Sequence, residues 1–294
     1  MPKNKKIEKK GKKAKAELTF LKPMGKTIKP IVGFYSTSGC QGCLLSVIFN
    51  EKEFLDLVGA VDLRAFPFIA GNQATWAKEE ATKFDVIFHE GLVCCKEDEE
   101  TVKKLREKTK ILVAIGTCAC TGNIPAYKKY MKEQDYCNLK HDKIEKLQDT
   151  EARPIHQIVK VDLMVPGCPP RAHDATDVVK NLLLNIEKHW TNPVCYECRL
   201  KDIYCLLEKN RMCLGPITTG GCDAWCPRNN YECWGCRGLT KDANIESLKH
   251  LLKEKGFSEE EILKRMRTFA GTQHEELEKA ITQSKAVASP AGKN

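Results

Sequence analysis

Apolar and polar positions along the chain predict strands interleaved with amphipathic helices. Five short apolar runs are typical of buried strands and cover residues 31–35, 61–69, 84–88, 111–115 and 157–165. Stretches with helical spacing lie at residues 44–58, 97–108 and 172–186. Strands that alternate with helices in this way favour a parallel sheet covered on both faces. We therefore expect an α/β fold of the flavodoxin-like kind.

The pattern changes near Pro193. Residues 195–238 hold eight cysteines and five glycines but almost no apolar periodicity. Such a segment cannot build an apolar core by itself, so we expect a bound group to organise it. Helical spacing returns beyond Thr240, where two capping-box patterns begin at Ser258 and Thr272, each with glutamate three residues later.

These changes divide the chain into four parts. We expect a basic disordered arm over residues 1–29, a flavodoxin-like domain over 30–190, a cysteine-rich segment over 191–240 and a helical tail over 241–294.

The net charge of +9 resides in the arm. Residues 1–29 contain eleven lysines and two glutamates, and the rest of the chain holds 37 basic and 37 acidic residues. A neutral body argues against a phosphate-tracking groove, and hence against a nucleic-acid partner.

Neither a membrane span nor a secretory leader is visible in the sequence. No stretch reaches 18 apolar residues, and the lysine-rich start lacks the apolar core of a signal peptide. We therefore expect a cytoplasmic protein. Sixteen cysteines in a reducing compartment indicate metal binding rather than disulfides.

The first group of cysteines follows three of the predicted strands. Cys40 and Cys43 come after the first strand, Cys118 after the run at 111–115, and Cys168 after the run at 157–165. The carboxyl ends of parallel strands meet at one crevice, where ligands usually bind. Four thiolates gathered there could hold one [4Fe–4S] cluster.

Two simpler interpretations compete for this first group. Cysteine is often a small buried apolar residue. A CxxC pair that opens a helix is also typical of thioredoxin-like redox sites, which would explain Cys40 and Cys43. That interpretation leaves Cys118 and Cys168 without a role, so the cluster is favoured.

The second group has eight cysteines, enough for two four-cysteine sites. Its members are Cys195, Cys198, Cys205, Cys213, Cys222, Cys226, Cys233 and Cys236. The spacing suits iron–sulfur clusters or structural zinc and does not fix the ligand pairing. We expect the remaining cysteines to be free thiols, namely Cys94, Cys95, Cys120 and Cys137. The sequence contains no phosphate-binding loop, dinucleotide fingerprint or serine-nucleophile motif.

Several motifs resemble the small subunit of [NiFe] hydrogenases. Those similar to its proximal-cluster loops are Gly39-Cys40-Gln41-Gly42-Cys43, Glu90-Gly91, Gly116-Thr117-Cys118-Ala119 and Val165-Pro166-Gly167-Cys168-Pro169-Pro170. Those similar to the ferredoxin-like end of cytosolic hydrogenases, such as sulfhydrogenase and methyl-viologen-reducing hydrogenase, lie within residues 193–200, 213–216, 221–227 and 233–238. The resemblance covers about residues 30–240.

This resemblance implies an oxidoreductase subunit that does not itself carry the nickel–iron site. A proximal [4Fe–4S] cluster would be held by Cys40, Cys43, Cys118 and Cys168. Medial and distal [4Fe–4S] clusters would share the eight cysteines of the second group. The implied partners are a hydrogenase large subunit and an electron acceptor, either a flavin- and NAD(P)-binding chain or a heterodisulfide-reductase-type chain.

Some residues depart from the family pattern, and two other functions compete with it. Cys94-Cys95 and residues 120–123 are unexpected at their loops and bear on the surroundings of the first cluster. One alternative is a connector subunit of a complex-I-like quinone reductase, in which the first motif carries adjacent cysteines. The other is a zinc-stapled binding scaffold.

Overall fold

The computed structural model describes residues 29–49, 51–69, 83–130, 152–184, 186 and 191–269. The expected basic arm up to residue 28, Cys137 and the capping box at Thr272 lie outside these residues.

Five parallel strands form one sheet. They are β1 (Ile31–Ser36), β2 (Asp62–Ala65), β3 (Phe84–Glu90), β4 (Thr109–Ile115) and β5 (Leu163–Val165). Their order is β2-β1-β3-β4-β5, which is the flavodoxin-like order. In the register of the three central strands, Val32 lies beside Val86, which in turn lies beside Ile111. The predicted α/β class is confirmed.

Helices cover both faces of the sheet. They are α1 (Gly42–Ile48), α2 (Glu51–Ala60), α3 (Lys96–Lys108), α4 (Thr117–Thr121) and α5 (Asp174–Leu184). Alternate residues of the strands point to opposite faces, so the sheet has two apolar cores. Apolar residues of α1, α2 and α5 pack on one face, around Phe34 and Phe88. Those of α3 and α4 pack on the other, around Ile87 and Leu112.

Three predicted elements differ from the observed ones. The single helix expected over 44–58 is two helices, α1 and α2. The sequence pattern did not separate them, because the helical spacing of apolar residues continues across the break. The strand expected over 61–69 ends at Ala65, since Pro67 lacks the N–H that a continuing ladder needs. The strand expected over 157–165 is reduced to Leu163–Val165.

The shortened β5 has a visible cause in Asp162. Its Oδ2 accepts the backbone N–H of Leu112 at 2.8 Å, so that donor is not available to the ladder. A 3₁₀ turn over Ile155–Gln157 occupies the start of the predicted strand.

The C-terminal half has its own apolar core. Its helices are α6 (Val194–Leu200), α7 (Trp225–Arg228), α8 (Ile245–Glu254) and α9 (Glu259–Thr268). Leu206, Leu214 and Ile217 of the cysteine-rich segment pack with apolar residues of α8 and α9. The capping box at Ser258 and Glu261 is present. The cysteine-rich segment and the first part of the helical tail therefore share one core.

Candidate metal centre

The first group of cysteines gathers at the carboxyl ends of β1, β4 and β5. Nδ2 of Asn123 lies 3.3 Å from Sγ of Cys118 and 3.4 Å from Sγ of Cys168. Burial raises the pKa of the Cys43 thiol, and the charges of Glu90, Cys118, Cys168 and Cys40 raise it further. The structure thus brings together the four thiols that the sequence predicted.

Gly116 leaves room for one of these sulfurs. Its φ is +87°, and a Cβ at this position would lie 2.3 Å from Sγ of Cys43. Only glycine combines that backbone conformation with so close a thiol. The loop between β4 and α4 is therefore shaped as a cradle around sulfur.

A buried carboxylate, Glu90, fixes the loop that carries Cys43. Its Oε2 accepts the N–H of Leu44 at 3.0 Å, and its Oε1 lies 3.4 Å from the N–H of Cys43. The side chain is buried, and burial raises its pKa above the ordinary value. Sequence reasoning noted Glu90-Gly91 as a motif but assigned Glu90 no role.

Half of the second group is centred on Cys195. Burial raises the pKa of Cys195 to about 12, and the charges of Cys213, Cys198 and Cys205 raise it further. Burial likewise raises the pKa of Cys198 to about 11, with added effects from Cys213, Cys205 and Cys222. These thiols are mutual electrostatic neighbours.

The other half is centred on Cys236. Burial raises the pKa of this thiol to about 11, with the charges of Cys222 and Cys226 adding to the effect. Cys233 is buried, with Cys213 and Cys236 as its charged neighbours, and its N–H donates to Sγ of Cys213 at 3.3 Å. Cys213 therefore lies between the two sets of thiols, those around Cys195 and those around Cys236.

A second buried carboxylate, Glu197, organises the loop at Cys222. Oε1 accepts the N–H of Gly221 at 2.6 Å, and Oε2 accepts the N–H of Ala224 at 2.9 Å. Ala224 has φ 48°, so the carboxylate supports a backbone conformation that alanine rarely adopts. Only the position of Glu197 inside the Cys195–Cys198 motif could have signalled this role.

Arg237 connects the two halves of the molecule. Its Nη1 donates to the carbonyl of Pro166 at 2.6 Å, and its Nε donates to the carbonyl of Gly220 at 2.8 Å. Nη1 also lies 3.6 Å from Oδ2 of Asp174, and both side chains are buried. The guanidinium thus binds the loop after β5 to the cysteine-rich segment.

Two further contacts bring the groups of cysteines next to each other. The hydroxyl of Thr117 donates to the carbonyl of Cys236 and accepts the N–H of Gly167 at 3.1 Å. The backbone N–H of Cys168 forms a hydrogen bond that lowers the pKa of Cys236. A thiol of the second group therefore contacts the backbone of a cysteine of the first.

These donor sets fit iron–sulfur clusters. Thiolates are the form of cysteine that binds metal, yet burial raises the pKa of most of these thiols. Positive charge from bound iron would offset that cost. Among the described residues, no group of three or more Cys, His, Asp or Glu side chains is arranged to hold a single metal ion.

The other described cysteines are Cys94, Cys95 and Cys120, and of these Cys120 has Cys118 and Arg237 as charged neighbours. Cys94 and Cys95 are half-buried at the start of α3. Cys120 is buried, with Sγ 3.4 Å from the carbonyl oxygen of Ala114, and burial raises its pKa to about 12.

In the part of the chain that the structure describes, no helix has the length and apolar character needed to cross a bilayer.

Comparison with known proteins shows clear relatives. Residues 40–182 match the family described as NADH ubiquinone oxidoreductase, 20 Kd subunit. Sulfhydrogenase 2 subunit delta of Pyrococcus furiosus is 33% identical over 241 residues, covering 81% of this chain and 98% of that protein. A vhu subunit of the F420-non-reducing hydrogenase of Methanocaldococcus jannaschii is 30% identical over 246 residues, covering 73% of this chain and 83% of that protein.

Among solved structures, a chain of an NAD⁺-reducing [NiFe]-hydrogenase in the H2-reduced state is 27% identical. The match covers 55% of this chain and 94% of that chain, with a TM-score of 0.46.

The parallel sheet and its clustered thiols define a thiol-rich α/β protein, and its hydrogenase relatives place it among the subunits of oxidoreductase complexes. The extent of the match to the Pyrococcus furiosus protein identifies the family. This chain belongs to the hydrogenase small-subunit family, the electron-transfer subunits of hydrogenases.

Proposed function

We propose that the chain is the electron-transfer small subunit of a cytoplasmic [NiFe] hydrogenase and holds three [4Fe–4S] clusters. The observation that carries this proposal is the grouping of twelve thiols that come from segments far apart in sequence. Membership of the hydrogenase small-subunit family supports it.

The contacts among the thiols support a particular assignment of ligands. The proximal cluster is assigned to Cys40, Cys43, Cys118 and Cys168. The electrostatic neighbours of Cys195 suggest that a second cluster is held by Cys195, Cys198, Cys205 and Cys213. The third is then assigned to Cys222, Cys226, Cys233 and Cys236. This is sequential pairing, without exchange of ligands between the two C-terminal sites.

The residues around the thiols would hold the clusters at fixed positions. Each bound cluster supplies one-electron redox chemistry. Glu90 and Glu197 fix the cysteine loops by accepting backbone N–H groups. Arg237 and Thr117 keep the first group close to Cys236. A fixed separation between redox groups is what an electron-transfer subunit needs.

The proposed partners are a large subunit that carries the nickel–iron site and a further redox subunit. The relatives are named as subunits of hydrogenases, one of them NAD-reducing and others F420-non-reducing. A flavin- and NAD(P)-binding chain or a heterodisulfide-reductase-type chain is therefore the acceptor class we propose.

Anaerobic purification of the complex from its native host tests this function. We expect a hydrogenase large subunit to co-purify with the chain, and the complex to reduce a viologen dye only when H2 is supplied. Co-purification without any large subunit, or a complex that reduces dye equally without H2, would contradict the proposal.

A quinone-reductase connector is the second candidate, because the match over residues 40–182 is to an NADH ubiquinone oxidoreductase subunit. That match ends before the second group of cysteines begins. The same purified complex distinguishes the two functions. Quinone reduction with NADH but no dye reduction with H2 would favour the connector.

Replacement of Gly116 by alanine should remove the proximal cluster. The new Cβ would lie 2.3 Å from Sγ of Cys43, in a backbone conformation with φ +87°. We expect iron per chain to fall by about four atoms, as one [4Fe–4S] cluster contains. Gly59→Ala is the control, since its Cβ would meet no atom within 4 Å. Equal iron content in both variants would contradict the assigned cradle.

A further inference from the structure

Asn123 contacts two thiols of the first group with a single atom. It follows α4, after Gly122, and its side chain is buried. Nδ2 lies 3.3 Å from Sγ of Cys118 and 3.4 Å from Sγ of Cys168. The amide therefore links α4, which carries Cys118, to the loop after β5, where Cys168 lies 45 residues further along the chain than Asn123.

The orientation of this amide follows from the chemistry of its neighbours. Nδ2 carries two hydrogens, so it can donate one to each sulfur. The reverse orientation would place Oδ1, an acceptor, against two negatively charged thiolates. The hydrogen bonds from Asn123 lower the pKa of both Cys118 and Cys168, opposing the effect of burial.

The oxygen at the other end of the side chain indicates that the contacts with sulfur determine how the Asn123 amide is oriented. Oδ1 of Asn123 is buried and has no hydrogen-bond partner within the described residues. A buried polar atom without a partner costs about 1–3 kcal/mol. Charged sulfur acceptors at Nδ2 would offset that cost, because hydrogen bonds to ionised groups are the stronger ones.

The backbone also favours asparagine at this position. Asn123 has φ 50°, in the left-handed region that asparagine and glycine tolerate best. Its carbonyl accepts the N–H of Ala126 at 3.1 Å, so the residue is fixed between α4 and the following 3₁₀ helix. The amide is held in place from its backbone side.

We propose that Asn123 is a positioning residue that raises the reduction potential of the proximal cluster, an inference that rests on the proposed function. Reduction adds one negative charge to the cluster and its thiolates. N–H groups directed at the sulfurs stabilise that added charge, so they make the reduced state more accessible. Asn123 belongs to the stretch 120–123 that departs from the family pattern, and it would thereby help to set the potential of this cluster.

The test is a redox titration, followed by EPR, of the anaerobically purified complex with two variants. Asn123→Gly removes both donors and keeps a residue that accepts φ 50°. Asn123→Asp keeps the shape but replaces the donors with a carboxylate. We expect the potential of one cluster to shift downward in the glycine variant and further downward in the aspartate variant. The affected cluster is the one whose signal Cys168→Ala removes.

Asn210→Gly is the matched control. Asn210 has φ 54°, but its side chain is exposed and contacts Lys255 instead of a thiol. We expect the proximal potential to stay unchanged in this variant.

The outcomes separate this inference from the function on which it rests. An unchanged proximal potential in a variant that keeps its full iron content would overturn the role of Asn123 alone. Loss of the proximal iron in both variants would also overturn it, because the residue would then be needed to hold the cluster. A wild-type complex without any cluster signal would overturn the proposed function as well.

Discussion

Replacement of Cys195 by alanine should remove one cluster and loosen the C-terminal half of the chain. We expect iron to fall by about four of about twelve atoms per chain, because a [4Fe–4S] cluster needs all four thiolates. Cys213 and Cys233 are part of the same apolar core as α8 and α9. Loss of the cluster should therefore increase amide hydrogen exchange over 194–240 and leave β1, β3 and β4 protected.

The matched control for this variant is Cys95→Ala, which also removes one sulfur. Cys95 precedes α3 and makes no side-chain capping hydrogen bond. We expect the control to retain all of its iron and the wild-type exchange pattern. Equal iron loss in both variants would contradict the assignment of Cys195, and uniform exchange across the chain would contradict the link between cluster and core.

Replacement of Arg237 by methionine should have the second large effect. Methionine keeps much of the volume but leaves Asp174 buried without its cation, and two backbone carbonyls lose their donor. Breaking a buried pair in this way costs about 3–5 kcal/mol. Since 1 kcal/mol lowers Tm by about 2–4 °C in a chain of this size, we expect a decrease of about 6–20 °C.

Thermal unfolding of the anaerobically purified protein measures this effect. Arg64→Met is the control, because Arg64 pairs with Asp62 at the surface and such pairs contribute about 0–1 kcal/mol. The double variant Arg237→Met, Asp174→Leu should recover part of the loss, since it removes the unpaired carboxylate. A Tm for Arg237→Met equal to that of Arg64→Met would show that the buried pair does not connect the two halves.

Much of the fold could be predicted because burial on both faces leaves a strong pattern. The run at 111–115 is continuous and apolar, as a central parallel strand should be, and it became the core of β4. β2 and β5 were predicted too long because a single residue limits each strand, β2 at its end and β5 at its start. Proline at 67 ends one, and the side chain of Asp162 replaces the start of the other.

The C-terminal core was harder to predict for a different reason. Leu206, Leu214 and Ile217 are too sparse to show a period, and the residues they pack against belong to α8 and α9. A contact between residues far apart in sequence leaves no local signal. The segment therefore looked coreless, although its own apolar residues are buried.

The cysteines of the candidate site were visible in the sequence, but the residues that support them were not. Thiols at strand ends follow from the strand pattern and from their motifs. Glu197 and Arg237 lie inside the cysteine motifs, but like Asn123 they act through contacts with distant loops, which the motifs do not identify. Their roles could be assigned only once the fold placed those loops together.

The most direct test of the account is the iron and acid-labile sulfide content of the anaerobically purified complex, with zinc measured in the same sample. Twelve ligand thiols should give about twelve irons and about twelve sulfides per copy of this chain. Zinc at about two atoms per chain, without labile sulfide, would show instead that the second group forms structural zinc sites and that this chain does not transfer electrons.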